Sequence, residues 1–220
     1  MIRSKKIKRK NPPLTSAKTL NLERKKTNAL NKSRATQMEN RVAKVLKGRR
    51  IPMSGAAAQF KGDVEVLFEN YPGKYIIECK LSAQTKPTTK EPMIPIRLDW
   101  FPKITSQASD MNAKFGVLIV HYKDHGNDYV FVKRTIVTKL MTQYESPYTD
   151  ILEGLMKLTP VIDMRFTQAG KPRAGYDLQR KDIETAMTHV QGFAGVRALL
   201  PDDEYLIMHL STWRVVTEHM

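Results

Sequence analysis

Twelve of the first 35 residues are Lys or Arg and only Glu23 among them is acidic, so this stretch carries +11 of the chain's formal +15. Such a block repels itself and has too little apolar surface to build a core. The chain is thereby divided before any motif is read. Residues 1–35 are expected to form a disordered basic arm, and the other 185 residues, with a net +4, must hold the fold. Lys5, Lys6, Lys8, Arg9 and Lys10 form the densest run of the arm. Such a run suits polyphosphate, because each neutralised phosphate releases condensed counterions. A localisation signal and a merely solubilising tail are the competing readings.

Past the arm, hydrophobic periodicity sets the fold class. Met38, Val42, Val45 and Leu46 recur at helical spacing before Gly48, with Thr36 as a possible cap and Glu39 completing a capping box. Arg49 to Gly55 reads as an extended piece entering a turn, and Ala56 to Lys61 as a loop. Asp63 to Phe68 and Lys74 to Leu81 read as strands joined by the turn Asn70-Tyr71-Pro72-Gly73, which predicts a hairpin. Ser82 to Pro95 is expected as a polar loop. Leu98 to Ala113 suits a helix, and Phe115 to His121 and Tyr129 to Lys133 suit strands around the turn His125 to Asp128. Helix, strand, strand, helix, strand, strand in about 100 residues indicates a mixed α/β domain with one central sheet.

Further on, 136–141 and 150–158 are expected as short helices, 161–166 as a strand and 181–190 as a helix. Asp128 to Ile136 and Glu204 to Trp213 echo each other as a strand running into a capped helix, an echo too short to establish a duplication. The single cysteine, Cys79, excludes an intrachain disulfide and any cysteine-built zinc site, and suits a reducing compartment. The amino-terminal stretch lacks the apolar segment of a signal peptide, and runs such as Phe115 to Val120 are too short to span a bilayer. A soluble intracellular protein without membrane association is expected. No Gly-x4-Gly-Lys-Ser/Thr loop occurs, so no nucleotide cofactor is expected. The five histidines show no paired metal spacing, and His121 and His125 read as loop residues.

Chemistry concentrates on Tyr75-Ile76-Ile77-Glu78-Cys79-Lys80-Leu81. Strand side chains alternate, so Glu78 and Lys80 project to one face and Ile77 and Cys79 to the other. A carboxylate and an ammonium in the middle of an apolar strand are expensive unless something uses them. In a hairpin, Asp63 would lie beside Glu78, and two converging carboxylates call for a hard divalent cation. Lys80 would then orient water or neutralise charge developing on phosphate. A bare Glu-x-Lys is weak by itself. Glu23-Arg24-Lys25 in the arm has the same spacing and no such context.

Glu39 on the first helix, Arg49 with Pro52, Ser54, Gly55 and Ala56 after it, Gly62-Asp63-Val64, and Ile77-Glu78-Cys79-Lys80 together resemble the PD-(D/E)XK nuclease superfamily. Within it they are most similar to the archaeal-type Holliday junction resolvases and their phage relatives. The resemblance covers residues 36–133. It implies a restriction-endonuclease-like mixed central sheet flanked by helices, with 36–140 as the nuclease core; residues 141–220, outside the resemblance, are expected to form a C-terminal α/β extension packed on it. Asp63, Glu78 and the Cys79 carbonyl would bind Mg²⁺, with Mn²⁺ able to substitute. Lys80 would be the catalytic lysine, Glu39 an acid near the metal or its water, and Ser54 a residue close to the junction DNA. Arg49, Arg50 and Lys61 flank the site as candidate DNA-backbone contacts. Gln107 falls where some relatives place a polar residue. Gly62 stands where the superfamily's name has proline, and the Ser82 to Pro95 segment is longer than usual.

The function so implied is structure-selective hydrolysis of DNA phosphodiesters, as in a Holliday junction resolvase. A homodimer would supply two active sites, and the setting would be a prokaryote's cytoplasm or a virus-infected cell. A restriction, repair or transposon-end nuclease of the same fold is the nearest alternative, because fold does not fix substrate. A non-catalytic DNA-binding or structural protein is the other.

Overall fold

The computed structural model describes residues 17–51, 62–144, 146–166 and 174–218. Two compact units divide the chain, residues 1–34 and 35–220. Helix α1 (Ala17–Val45) begins well before Thr36, so residues 17–35 are helical where a disordered arm was expected. Leu, Ala, Glu, Lys and Arg dominate this stretch and all favour helix, a preference that outweighs their like-charge repulsion. Thr36 lies within the helix and caps nothing, which removes the capping-box role considered for Glu39.

The elements after it are β1 (Arg49–Arg50), β2 (Val64–Leu67), β3 (Lys74–Ser82), β4 (Met93–Arg97), α2 (Trp100–Asp110), β5 (Gly116–Tyr122) and β6 (Asp128–Lys133). There follow α3 (Arg134–Thr142), α4 (Thr149–Leu158), β7 (Val161–Asp163), β8 (Gly175–Gln179), α5 (Arg180–Ala186), β9 (Thr188–Val190), β10 (Phe193–Leu199), β11 (Glu204–His209) and α6 (Leu210–Thr217). Among the described residues, nine strands form one mixed sheet in the order β1-β2-β3-β5-β6-β11-β10-β7, with β9 on β10. The pairs β3–β5 and β7–β10 are parallel and the other pairs of this sheet antiparallel. The expected α/β class with a single main sheet is what is observed.

The C-terminal part extends this sheet. Its β11 lies directly on β6, with Ile207 opposite Phe131 and Met208 opposite Val130. The two echoing segments are therefore neighbours, and each strand does run into a helix. Neither helix has a side-chain cap. Other expectations fail as well, and the strand expected over 161–166 ends at Asp163. Of the loop expected over Ser82 to Pro95, Ser82 belongs to β3 and Met93 to Pro95 begin β4, which pairs with β8 in a small second sheet. The predicted helix 181–190 stops at Ala186, and Thr188-His189-Val190 turns into a strand against β10.

Alternation along the strands builds two cores. On β5, Val117 and Ile119 join Met38 and Val42 of α1 and Trp213 of α6 on one face. Leu118, Val120 and Tyr122 face the other way, towards Phe101 of α2, Ile183 of α5 and Ile94 of β4. Gly116 opens β5 where a Cβ would lie 2.7 Å from Cγ1 of Ile104. Its missing side chain lets α2 sit close on the sheet beside Ile76 of β3, two residues before Glu78.

Candidate active site

The predicted hairpin forms, with Val64 opposite Ile77 as the pair next to the site, and Asp63 precedes it close enough to Glu78 for the two carboxylates to repel. The Asp63 N–H donates to the Ile77 carbonyl at 2.7 Å, and its own carbonyl accepts the Ile51 N–H at 2.9 Å. Its side chain turns back along β3, where Oδ2 accepts the Cys79 N–H at 2.7 Å. In an antiparallel ladder a residue's N–H and C=O point to the same neighbour, so the Cys79 carbonyl also turns to the Asp63 side. Gly62 has φ +83, which proline's ring, fixed near −65°, cannot adopt. The turn that delivers Asp63 therefore needs glycine here and would not accept proline.

Glu78 is buried, and its Oε1 is in contact with Lys80 Nζ, as strand alternation requires. Lys80 Nζ also lies over the Trp100 ring, 5.4 Å from its centroid. Glu39 reaches the site from α1, with its Oε2 held by Arg50 Nε at 2.5 Å. Burial, then the charge of Glu78, push the Asp63 carboxyl up to about 6; the Cys79 N–H and Lys80 oppose the rise, and Glu39 adds to it. Burial, followed by Asp63, Glu39 and Glu78, also raises the Cys79 thiol well above its ordinary value. The thiol stays protonated, and Cys79 meets Asp63 through its backbone N–H.

Asp63, Glu78, Lys80, Cys79 and Glu39 are therefore gathered at one end of β2 and β3. Ser54 and Lys61, and the arm cations Lys5, Lys6, Lys8, Arg9 and Lys10, lie outside the described residues. Arg49 and Arg50 are both engaged with carboxylates. Arg50 holds Glu39, and Arg49 pairs with Glu65 while its side chain stays 81% exposed. Glu65 is buried on β2; burial opposes its ionisation, but the hydrogen bonds of Arg49 and Lys74 win and lower its pKa. Gln107 is buried on α2 with no partner for Oε1.

One cluster was not anticipated. His121, at the end of β5, is buried opposite Asp128, and its Nδ1 lies 2.8 Å from Asp128 Oδ1. Arg41 of α1 donates to the same oxygen at 2.6 Å. Arg41 follows Glu39 by two residues, so one segment of α1 is tied to both halves of the sheet's end. No local spacing announces a group whose members lie 80 and 87 residues apart.

Among the described residues, no three His, Cys, Asp or Glu side chains converge to hold a metal ion. Mg²⁺ does not require three, since it takes one or two carboxylates and keeps several waters. Two carboxylates and a backbone carbonyl offer hard oxygen donors, and the raised Asp63 carboxyl marks a place where added positive charge is welcome. A cavity of about 790 Å³ on another side of α2, lined by Phe101, Thr105 and Tyr205, contains none of these residues. No family model matches the chain, and comparison with curated proteins and with solved structures gives no significant match. No helix among the described residues is long and apolar enough to cross a membrane.

The Asp63 shift predicts a pH dependence of stability without metal. The folded carboxyl, at about 6, holds its proton more tightly than the unfolded one near 3.8. The resulting stabilisation is complete below pH 4 and is lost as pH rises through 6, by up to about 3 kcal/mol. Urea unfolding in EDTA should show this slope in the native chain and not in Asp63→Asn. Parallel curves for the two proteins would place the titration elsewhere.

Proposed function

We propose that the chain is a divalent-metal-dependent DNA endonuclease of restriction-endonuclease-like fold, selective for branched duplex and above all for four-way junctions. One observation carries the reading: the Asp63 and Glu78 carboxylates lie close enough for the charge of one to hold the other's proton, with the Cys79 N–H on Asp63 and Lys80 on Glu78. Junction preference rests on the motif resemblance alone. Asp63, Glu78 and the Cys79 carbonyl would hold Mg²⁺ or Mn²⁺. When bound, such an ion polarises a phosphate oxygen and acidifies water.

The chain's own residues do the rest. Hydrolysis joins a water oxygen to phosphorus and breaks the P–O3′ bond, leaving a 5′-phosphate. One proton leaves the water and another reaches O3′. Glu39, fixed by Arg50 and near enough to perturb Asp63, orients the attacking water. Lys80 offsets the charge that develops on the phosphate. Ser54, Arg49 and Lys61 would contact the DNA backbone, and a C2 homodimer would supply the two sites that symmetric cutting needs.

The test compares a four-way junction, a flap and a linear duplex with Mg²⁺, with Mn²⁺ and in EDTA. Paired symmetric nicks in the junction, slower cutting of the others and none in EDTA are expected. Equal cutting of linear duplex would move the reading to a restriction or repair enzyme. No cleavage of any DNA would leave a non-catalytic DNA-binding protein.

Removal of residues 1–34 takes away +11 of charge and none of the site. Binding to every DNA shape should weaken, with metal dependence and cut positions unchanged. If about six of these cations meet phosphates, the slope of log affinity against log salt should become shallower by about five. An unchanged slope would assign the arm to another partner.

A further inference from the structure

Glu78 faces two lysines. Besides Lys80, Lys103 Nζ approaches the same Oε1 at 3.8 Å from α2, with its side chain 59% exposed. Lys103 lies one helical turn after Trp100, whose ring backs Lys80, so one face of α2 overlooks the end of β3. Its position on the helix is unusual. The first turn of a helix favours acids, and that of α2 has none, while Lys103 brings a cation there. The close seating of α2 over Gly116 makes the approach possible.

Charge counting gives this lysine a role. Glu39 is balanced by Arg50, which leaves Asp63 and Glu78 against Lys80 and Lys103. With Glu78 engaged by a divalent cation, both ammonium groups are released from it. The site then has a surplus of positive charge, which suits a phosphodiester whose negative charge grows as it is cleaved. Resting on the nuclease reading above, we propose that Lys103 is a second catalytic lysine. It neutralises Glu78 in the metal-free protein and contacts the scissile phosphate once Glu78 is committed to the cation. Its exposed side chain and flexible stem give it the reach to change partners.

Two measurements on Lys103→Met decide the matter, because the proposal moves them in opposite directions. Removing a cation that competes for Glu78 should tighten Mn²⁺ binding to the DNA-free protein by about five- to tenfold. Binding is read from Trp100 fluorescence and by calorimetry; the chain's other tryptophan, Trp213, is fully buried. At saturating metal, the single-turnover rate on the best-cut DNA should fall by about 10- to 100-fold. Lys103→Arg should recover most of that rate, whereas loss of a merely structural surface pair would leave it near the native value. Cleavage by the native chain together with a Lys103→Met rate within twofold of it overturns this inference alone. A slower rate with weaker Mn²⁺ binding overturns it too, since that marks a damaged site. Absence of cleavage by the native chain overturns the nuclease reading and the catalytic half of this one together.

Discussion

Asp63→Asn and Glu78→Gln are each expected to abolish cleavage while leaving DNA affinity unchanged or slightly higher. Each substitution keeps the side chain's shape and removes one of the two negative charges offered to the cation. The same charge repels phosphate, so its loss favours binding as it removes chemistry. Asp63→Asn has a second signature, because the amide carbonyl still accepts the Cys79 N–H. The hairpin should therefore survive, and without metal above pH 6 the variant should be more stable than the native chain. Parallel loss of binding and cleavage, with a lowered melting temperature, would assign these residues to folding.

Lys80→Ala should lower the single-turnover rate by roughly two to four orders of magnitude with little change in DNA affinity. Its ammonium sits on Glu78 and over Trp100, so it is held at the end of β3 before any DNA arrives. The alanine variant also leaves Glu78 without its nearest cation, and metal affinity should tighten as the rate falls. Near-native turnover would remove Lys80 from the mechanism and leave Glu78-Cys79-Lys80 as an ordinary ion pair. Measuring Lys80→Ala, Lys103→Met and the double variant together would show whether the two lysines act on one phosphate. Shared action predicts a double-variant loss that departs from the product of the single losses.

What could be read from the sequence follows the range of the forces involved. Glu78 and Lys80 share a face because a strand alternates, and Asp63 comes near Glu78 because a short turn fixes the hairpin that sets Val64 opposite Ile77. Both facts are local. Met93 to Arg97 was hidden by Pro92 and Pro95, which argue against a strand; here they sit beside or within a two-stranded edge, where a missing N–H is tolerated. Its partner, Gly175 to Gln179, lies some eighty residues away, beyond what any periodicity conveys. The start of α1 is masked by the net charge of residues 17–35, which points away from structure while helix propensity prevails. Arg41, His121 and Asp128 are brought together only by the order of strands in the sheet, which no single segment contains.

The adjacency of β11 to β6 also governs when the protein can exist. Residues 204–209 zip onto residues 128–133, and Trp213 beyond them is fully buried against the ring of Tyr75, from the strand that carries Glu78. A ribosome that has made only residues 1–200 has produced Asp63, Glu78 and Lys80 on a sheet with an open edge and a missing wall. Contacts of such sequence separation form slowly and late. The fold thus closes only after residue 217 has been synthesised, so prematurely terminated products are expected to aggregate or be degraded.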